Sequence, residues 1–447
     1  MKCALLAILG LMVASPVLAD DDPGSQGWQP ESPRDEIRPE FSWRVGDGPG
    51  GQPALAMTSD AREGLAGDWF KKVAVESGKH YHFSVHRKCD GVDLPRRTAI
   101  ARIIWLDESG QRVQRQDPSF ASYRPGEPPR AEPEFPADGP TQDGWTELSG
   151  VYRVPPNATQ ARIELHYRWG PPHSSVLWSV PSLKRVPQPP PRTVRLGTVH
   201  YQPRAGETPL EKCQQFERFI AEASSQQVDL LVLPETLTYY STKGSYSDAA
   251  EPIPGLATDY FGQLAKKHNI HLVVGLLERD QHLIYNVSVL LGPEGGVIGK
   301  YRKVTLPRGE IEGGITPGSD YPVFDTAFGK VGMMICYDGF FPEVARELTH
   351  RGAEVIAWPV WGCNPMLAAA RACENHVYVI SSTYTDASSN WMISAVFDRD
   401  GKTLAQAEDW GTLAIAEVDL NEQMYWHSLG DFQAQIQRHR PLVNATR

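Results

Sequence analysis

The sequence predicts an all-β sandwich followed by an α/β domain with a mixed sheet. Three observations carry this. Short alternating apolar stretches without a helical period run to about residue 186, a proline-rich run Pro187-Gln-Pro-Pro-Pro-Arg192 interrupts the chain, and helix-like and strand-like segments alternate beyond it. The chain has 447 residues, and at roughly 150 residues per domain two or three domains are expected. Hydrophobic residues make up 41% and charged residues 22%, as in ordinary globular proteins. A formal net charge of −10 offers no basic footprint for a phosphate backbone, so nucleic acid is not an expected partner.

Residues 1–19 begin with Met1-Lys2, an apolar run over 4–13, and Ser15-Pro-Val-Leu-Ala19, the order of a cleavable secretory signal peptide. A secreted or periplasmic protein is therefore expected. The run is far shorter than the roughly 20 residues of a spanning helix, and no later segment reaches that length, so no integral membrane segment is expected. Residues 20–40 are acidic and Pro-rich without apolar period, which predicts a flexible leader.

The β-sandwich domain is expected over 41–186. Tyr81, Phe83 and Val85 alternate with polar residues, as do Ala101, Ile103 and Trp105, and again Ile163, Leu165, Tyr167 and Trp169. Turn chemistry separates these stretches at Asp107-Glu-Ser-Gly110 and Pro155-Pro-Asn-Ala158, and a Pro-laden loop is expected over 118–140. The strands with Trp145, Trp169 and Trp178 loosely resemble jelly-roll carbohydrate-binding modules, in which exposed aromatic rings stack on sugars. That resemblance implies a jelly-roll-like sandwich with carbohydrate as a candidate ligand, although core tryptophans give the same pattern.

A polyproline run holds an extended conformation and cannot join a sheet, so residues 187–192 read as a stiff linker. The α/β domain is expected over 193–447. It opens with a strand over 194–199, a helix with Leu210, Cys213, Phe216 and Ile220 on one face, and a strand over 229–233. A helix over 260–267 leads to a strand over 271–277. The stretch 286–291 is expected to pair with 297–300 across Gly292-Pro-Glu-Gly-Gly296.

The segment Val331-Gly-Met-Met-Ile-Cys-Tyr-Asp-Gly-Phe-Phe-Pro-Glu343 carries the chemistry. An apolar strand ends at Cys336, a turn follows, and Pro342 sits where a first helical turn tolerates it. A cysteine between strand and helix faces a cleft beside backbone N–H groups that suit an oxyanion, although a small buried hydrophobe is an equal reading of the same residue. Six cysteines are present, and with Cys3 in the signal five remain: Cys89, Cys213, Cys336, Cys363 and Cys373. An odd number in an oxidising compartment points to a free thiol. No CxxC, HExxH or Cys/His cluster at zinc spacing occurs, so no metal is expected. Asn157, Asn286 and Asn444 each begin an N-x-[ST] glycosylation triplet.

Two more segments complete a pattern. Leu231-Val-Leu-Pro-Glu-Thr236 places a carboxylate just past a strand, and Tyr301-Arg-Lys-Val-Thr-Leu-Pro307 places a lysine past another. With Ile-Cys-Tyr-Asp at 335–338 the chain, over about residues 193–440, resembles the nitrilase superfamily of carbon-nitrogen hydrolases. The resemblance implies a four-layer α-β-β-α sandwich in which Cys336 attacks a carbonyl carbon and forms a thioester. Glu235 would act as the base, and Lys303 with the backbone N–H of Tyr337 would hold the oxyanion. A cation beside the sulfur also favours thiolate. A second carboxylate is expected on the loop after the lysine; Glu312 is favoured because Ile-Glu-Gly resembles the aliphatic amidase pattern, and the loop length leaves Glu310 open. Trp361 and Tyr240 are expected to line an acyl pocket.

Nitrile-cleaving members usually carry Trp-Glu after the nucleophile, whereas Tyr337-Asp338 follows Cys336, so the resemblance implies an amidase or N-carbamoyl-amine hydrolase acting on a small-molecule amide or ureido compound. No cofactor is implied. A homo-oligomer is, through the helix at Pro342–His350. The alternatives are nitrile hydrolysis by the same triad, or a secreted binding protein with a degenerate hydrolase domain.

Overall fold

The computed structural model describes residues 26–114, 131–426 and 429–441. The expected signal peptide, the Pro-laden stretch up to residue 130 and Asn444 lie outside these residues. The chain divides into two compact units, one ending at Gln188 and the other beginning at Pro189.

The first unit is built from two antiparallel sheets. One has four strands, in the order Gln29–Glu31, Leu65–Ala74, Gln160–Gly170 and Ala101–Leu106. In the other, of seven strands, His80–Asp90 is central, pairing with Trp145–Arg153, Ser175–Ser179 and Ser182–Val186. Alternate residues of both sheets meet in one apolar core that includes Leu55, Phe83, Trp105, Leu165 and Trp178. Of the three tryptophans singled out above, Trp178 belongs to this core, Trp145 is half-buried and Trp169 is 58% exposed.

Two expectations for this unit are corrected. Residues 20–40 are not a flexible leader from Trp28 onward, because Trp28 is buried in the core and Gln29–Glu31 adds an edge strand to Leu65–Ala74. Likewise Ala137–Gln142 is an exposed edge strand rather than loop. A register shift between Asp138 and Thr141 accommodates Pro140, which has no N–H for the ladder.

The second unit has two six-stranded mixed sheets. In the first, Thr193–His200, Leu230–Val232 and His271–Asp280 run parallel, and Leu283–Leu291, Val297–Arg302 and Thr412–Asp419 extend it antiparallel. The parallel centre of the second is Lys330–Met333, Val355–Val360 and Tyr378–Thr383. Leu230, Val232 and Val273 face the second sheet in one core, while Leu231, Leu233, Leu272 and Val274 face helices Glu217–Ser225 and Leu256–His268 in another. This period-two alternation, apolar on both sides, requires a covered sheet on each face. Helices Pro342–His350 and Met366–Asn375 contribute Val344, Leu348, Ala368 and Ala372 to the core of the second sheet. The layers are therefore α-β-β-α. Buried hydroxyls join the two sheets: Thr198 Oγ1 donates to Ser381 O at 2.7 Å and Ser382 Oγ to Val199 O at 2.7 Å.

The first helix differs from its expected form. It breaks after Gln214 and resumes at Glu217, so that Cys213, Phe216 and Ile220 are buried but Leu210 is exposed. Thr208 and Glu211 form a capping box that fixes the start of the first segment.

Candidate active site

Five strands of the second unit end at one place. Glu235 follows Leu230–Val232, Lys303 follows Val297–Arg302, Cys336 follows Lys330–Met333, Trp361 follows Val355–Val360, and Tyr384 follows Tyr378–Thr383. Carboxyl ends of strands in open α/β sheets are where ligand crevices form.

Glu235 is buried, and every polar atom of its carboxylate is engaged. Its Oε1 accepts from Lys303 Nζ at 2.9 Å and from Asn286 Nδ2 at 2.8 Å, and its Oε2 accepts the Trp361 N–H at 2.6 Å. Tyr384 OH donates to its main-chain carbonyl at 2.7 Å. Gly275 permits the close approach of this segment, since a Cβ there would lie 2.5 Å from Pro234 O and 2.6 Å from Glu235 Cα.

Lys303 is completely buried and donates to a second carboxylate, Glu310 Oε1, at 2.6 Å. Asn286 Nδ2 reaches the same oxygen at 3.1 Å. Burial opposes the Lys303 charge, but Glu235, the Cys336 sulfur and Glu310 outweigh it and hold its pKa above the ordinary lysine value. For Glu310 burial dominates, with Lys303 opposing and Glu235 adding to it, and the pKa rises to about 7.

The second carboxylate at Lys303 is Glu310, and the expectation that Glu312 stands there is corrected. Arg308–Glu312 is one helical turn, on which residues two apart point to opposite sides. Glu312 points outward, with 61% of its side chain exposed and Arg308 Nε 2.7 Å away.

Cys336 occupies a left-handed backbone conformation with φ +41°, strain that a bulky residue bears only where its surroundings impose it. Asp338 supplies that constraint. Its Oδ2 accepts from Ile335 N–H at 2.9 Å and Tyr301 OH at 2.7 Å, and its Oδ1 accepts from Thr305 N–H at 2.9 Å. The ring of Trp358 lies under the turn, donating from Nε1 to Cys336 O at 3.2 Å. Gly339 leaves the room for it, because a Cβ would stand 1.8 Å from Trp358 Cζ2. Pro342 then opens helix Pro342–His350.

The thiol donates to Gly362 O at 3.5 Å. Lys303 favours the thiolate as expected, but burial first, and then Glu235, outweigh it and raise the thiol pKa well above its ordinary value. This direction favours the protonated thiol over a standing thiolate. Asp338 N–H makes the first hydrogen bond of the turn, to Ile335 O at 2.9 Å, which leaves the N–H groups of Cys336 and Tyr337 ahead of it.

Glu235, Glu310, Cys336 and Trp361 all line one cavity of about 600 Å³, together with Thr236, Tyr239, Tyr246, Pro307, Gly309, Gly362, Thr385 and Trp391. Lys303 is not among the lining residues and reaches the cavity through Glu235 and Glu310, which are. Tyr240 is corrected: it is not among the lining residues, and its ring packs behind Trp361 against Tyr384, with centroids 5.1 and 4.2 Å away. Sequence reasoning missed Asn286, read as a glycosylation triplet and found buried between two carboxylates, as well as Tyr246 and Trp391. The polar interruption of an otherwise apolar strand at Asn286 was the one available signal.

Among the described residues, one set of metal-capable side chains stands close enough to share an ion: Asp68, Glu164 and His166 of the first unit. Glu164 is already engaged there by Arg102, Arg162 and His166, which leaves little charge for a cation. The five cysteines of the described residues are all free thiols.

The sequence model of the family described as carbon-nitrogen hydrolase matches residues 198–427. The chain is 41% identical over 174 residues to a protein named nitrilase from Pyrococcus abyssi, a match covering 37% of this chain and 66% of that protein's own length. It is 31% identical over 226 residues to omega-amidase NIT2 of Mus musculus, covering 45% of this chain and 81% of the relative. A similar solved structure is Saccharomyces cerevisiae Nit3, with 27% identity, a TM-score of 0.45, and coverage of 57% of this chain and 97% of that one.

Proposed function

The chain belongs to the carbon-nitrogen hydrolase family, within the nitrilase superfamily, and from that premise we propose that it opens a non-peptide C–N bond of an amide or ureido compound through a thioester on Cys336. The observation that carries the reading is the buried ammonium of Lys303 held by Glu235 at 2.9 Å and Glu310 at 2.6 Å, which line one cavity with Cys336.

For an amide, Glu235 takes the thiol proton as Cys336 Sγ bonds to the carbonyl carbon. An ammonium has three N–H donors. Two of those on Lys303 go to the carboxylates, and the third, with the N–H of Tyr337, serves the oxyanion. The C–N bond then breaks and Glu235 returns the proton to the leaving nitrogen. Water adds to the thioester carbon, Glu235 accepts its proton, and the acid leaves as the thiol is restored. The raised thiol pKa supports proton transfer at the moment of attack rather than a standing thiolate.

Tyr337-Asp338 after the nucleophile supports amide or ureido chemistry over nitrile cleavage. A complete set of Glu, Lys and Cys in one site argues against a binding protein with a degenerate hydrolase domain. Export to a secreted or periplasmic location, supported by residues 1–19, belongs to the same reading. So does pairing with a second copy through Pro342–His350, supported by the exposure of Phe340 and Phe341 at its head. The test is ammonia release from a panel of primary amides, N-carbamoyl amines and nitriles. Cys336→Ala is expected to abolish it, and retained turnover would remove the cysteine mechanism.

A further inference from the structure

We propose, building on the hydrolase reading above, that the acyl side of the substrate is apolar and carries no negative charge, and that Trp391 and Tyr246 select for it. Four aromatic side chains, Tyr239, Tyr246, Trp361 and Trp391, wall the 600 Å³ cavity. Its charged lining residues are Glu235 and Glu310, both acidic. No Arg, Lys or His lines it among the described residues. The cation at the site, Lys303, is wholly buried and does not line the cavity, with two of its three donors committed to carboxylates.

A substrate carboxylate entering this cavity would lose water, meet no cation among the lining residues, and stand among two acidic side chains and aromatic rings. A desolvated charge without a partner is among the most unfavourable events in binding. An alkyl or aryl group gains by displacing water from the same walls. Nearby cations belong elsewhere: Arg308, between the lining residues Pro307 and Gly309, is exposed and paired with Glu312 at 2.7 Å, and Arg204 and Lys243 line a separate cavity of about 380 Å³. Loop 236–248 divides the two, with Thr236 and Tyr239 on the first cavity and Thr238 and Ser241 on the second.

The turn that carries Trp391, which is 47% exposed, and the ring of Tyr246 are each tied to their surroundings. Next to Trp391, Met392 N–H donates to Cys363 O at 2.6 Å, and Met392 O accepts from Thr385 Oγ1 at 2.6 Å, which ties this turn to the loops beside the nucleophile. Tyr246 packs on Tyr239 with centroids 4.6 Å apart, and Gly313 makes space for its ring, since a Cβ there would lie 2.5 Å from Tyr246 Cε2.

The experiment compares kcat/KM on substrate pairs that differ by one carboxylate: hexanamide against adipamate, phenylacetamide against 4-carboxyphenylacetamide, and benzylurea against 4-(ureidomethyl)benzoate. The uncharged member is expected to be preferred by at least about 100-fold, the scale set by an unpaired carboxylate in a desolvated pocket. Trp391→Ala and Tyr246→Ala are each expected to lower kcat/KM for the uncharged member by at least about 10-fold and so to narrow the preference. Turnover of the pairs with the carboxylate member equal or preferred overturns this inference and leaves the hydrolase reading standing. Absence of turnover on amides, ureas and nitriles alike, with no acyl group on Cys336, removes the hydrolase reading and this inference with it.

Discussion

Replacing Glu310 by alanine takes away an acceptor oxygen that Lys303 Nζ and Asn286 Nδ2 share, as they share one of Glu235. Hydrogen bonds to charged groups contribute about 1.5–3 kcal/mol and neutral ones about 1. Losing both contacts costs about 2–4 kcal/mol, and if this falls on the transition state, kcat/KM drops about 30- to 1,000-fold at ~1.4 kcal/mol per factor of ten. Glu312→Ala is the control. Its side chain is exposed and paired only with Arg308, and such surface pairs contribute about 0.5 kcal/mol or less, so activity should stay within about twofold. The assay is ammonia release at saturating and limiting substrate, with a thermal melt to show that each variant folds. Equal losses at the two positions, or a larger loss for Glu312→Ala, would refute the reasoning. The pH profile adds a sign. Burial raises the Glu310 pKa to about 7, so its carboxylate forms only as pH rises through that value. Since the ionised form is the better acceptor for Lys303 and Asn286, kcat/KM of the native protein should rise through about pH 7. The profile of Glu310→Gln should be flat there.

Two further substitutions probe parts of the account that are independent of that carboxylate. Gly339→Ala drives a Cβ into the buried ring of Trp358, and overpacking of this kind costs about 1–3 kcal/mol, so the melting temperature and the activity should fall together; an unchanged melt would contradict the packing described under the nucleophile turn. Asp68→Asn should stabilise the first unit at pH 8 by about 1–4 kcal/mol and have little effect at pH 4. Burial first, and then Glu164, raise the Asp68 pKa to about 7 against the opposing pull of Arg162, so the folded state keeps a proton that the unfolded chain releases near pH 4, and stability from this group declines as pH rises across that window. The same stability difference at both pH values would show that Asp68 is not the titrating group.

The parts of this protein legible from sequence are those specified by local pattern. Alternation of apolar residues marked Tyr81, Phe83 and Val85 as one face of a strand, and the apolar stretches before Glu235, Lys303 and Cys336 marked where three strands end. The layered packing of these strands was expected from the resemblance, and the apolar residues on both of their faces are its physical reason. What was not legible depends on partners distant in the chain. Gln29–Glu31 has only Trp28 as an apolar anchor, and its ladder partner begins at Leu65, so composition alone suggested a leader. Choosing between Glu310 and Glu312 needs the phase of a single helical turn, which a five-residue stretch does not reveal. Asn286 gains its meaning from carboxylates 51 and 24 residues away. The thiol of Cys336 follows the same division: the cation that favours its ionisation was visible in the sequence pattern, and the burial that outweighs it was not.

The central claim is a covalent acyl group on Cys336, and the most direct measurement is mass spectrometry of the enzyme quenched in acid during turnover of an accepted amide, conditions under which a thioester survives. The account predicts a mass increase equal to the substrate minus ammonia, located on the peptide that carries Cys336 and absent from Cys336→Ala. Steady turnover with no adduct at that position, or ammonia release that persists in Cys336→Ala, would contradict it.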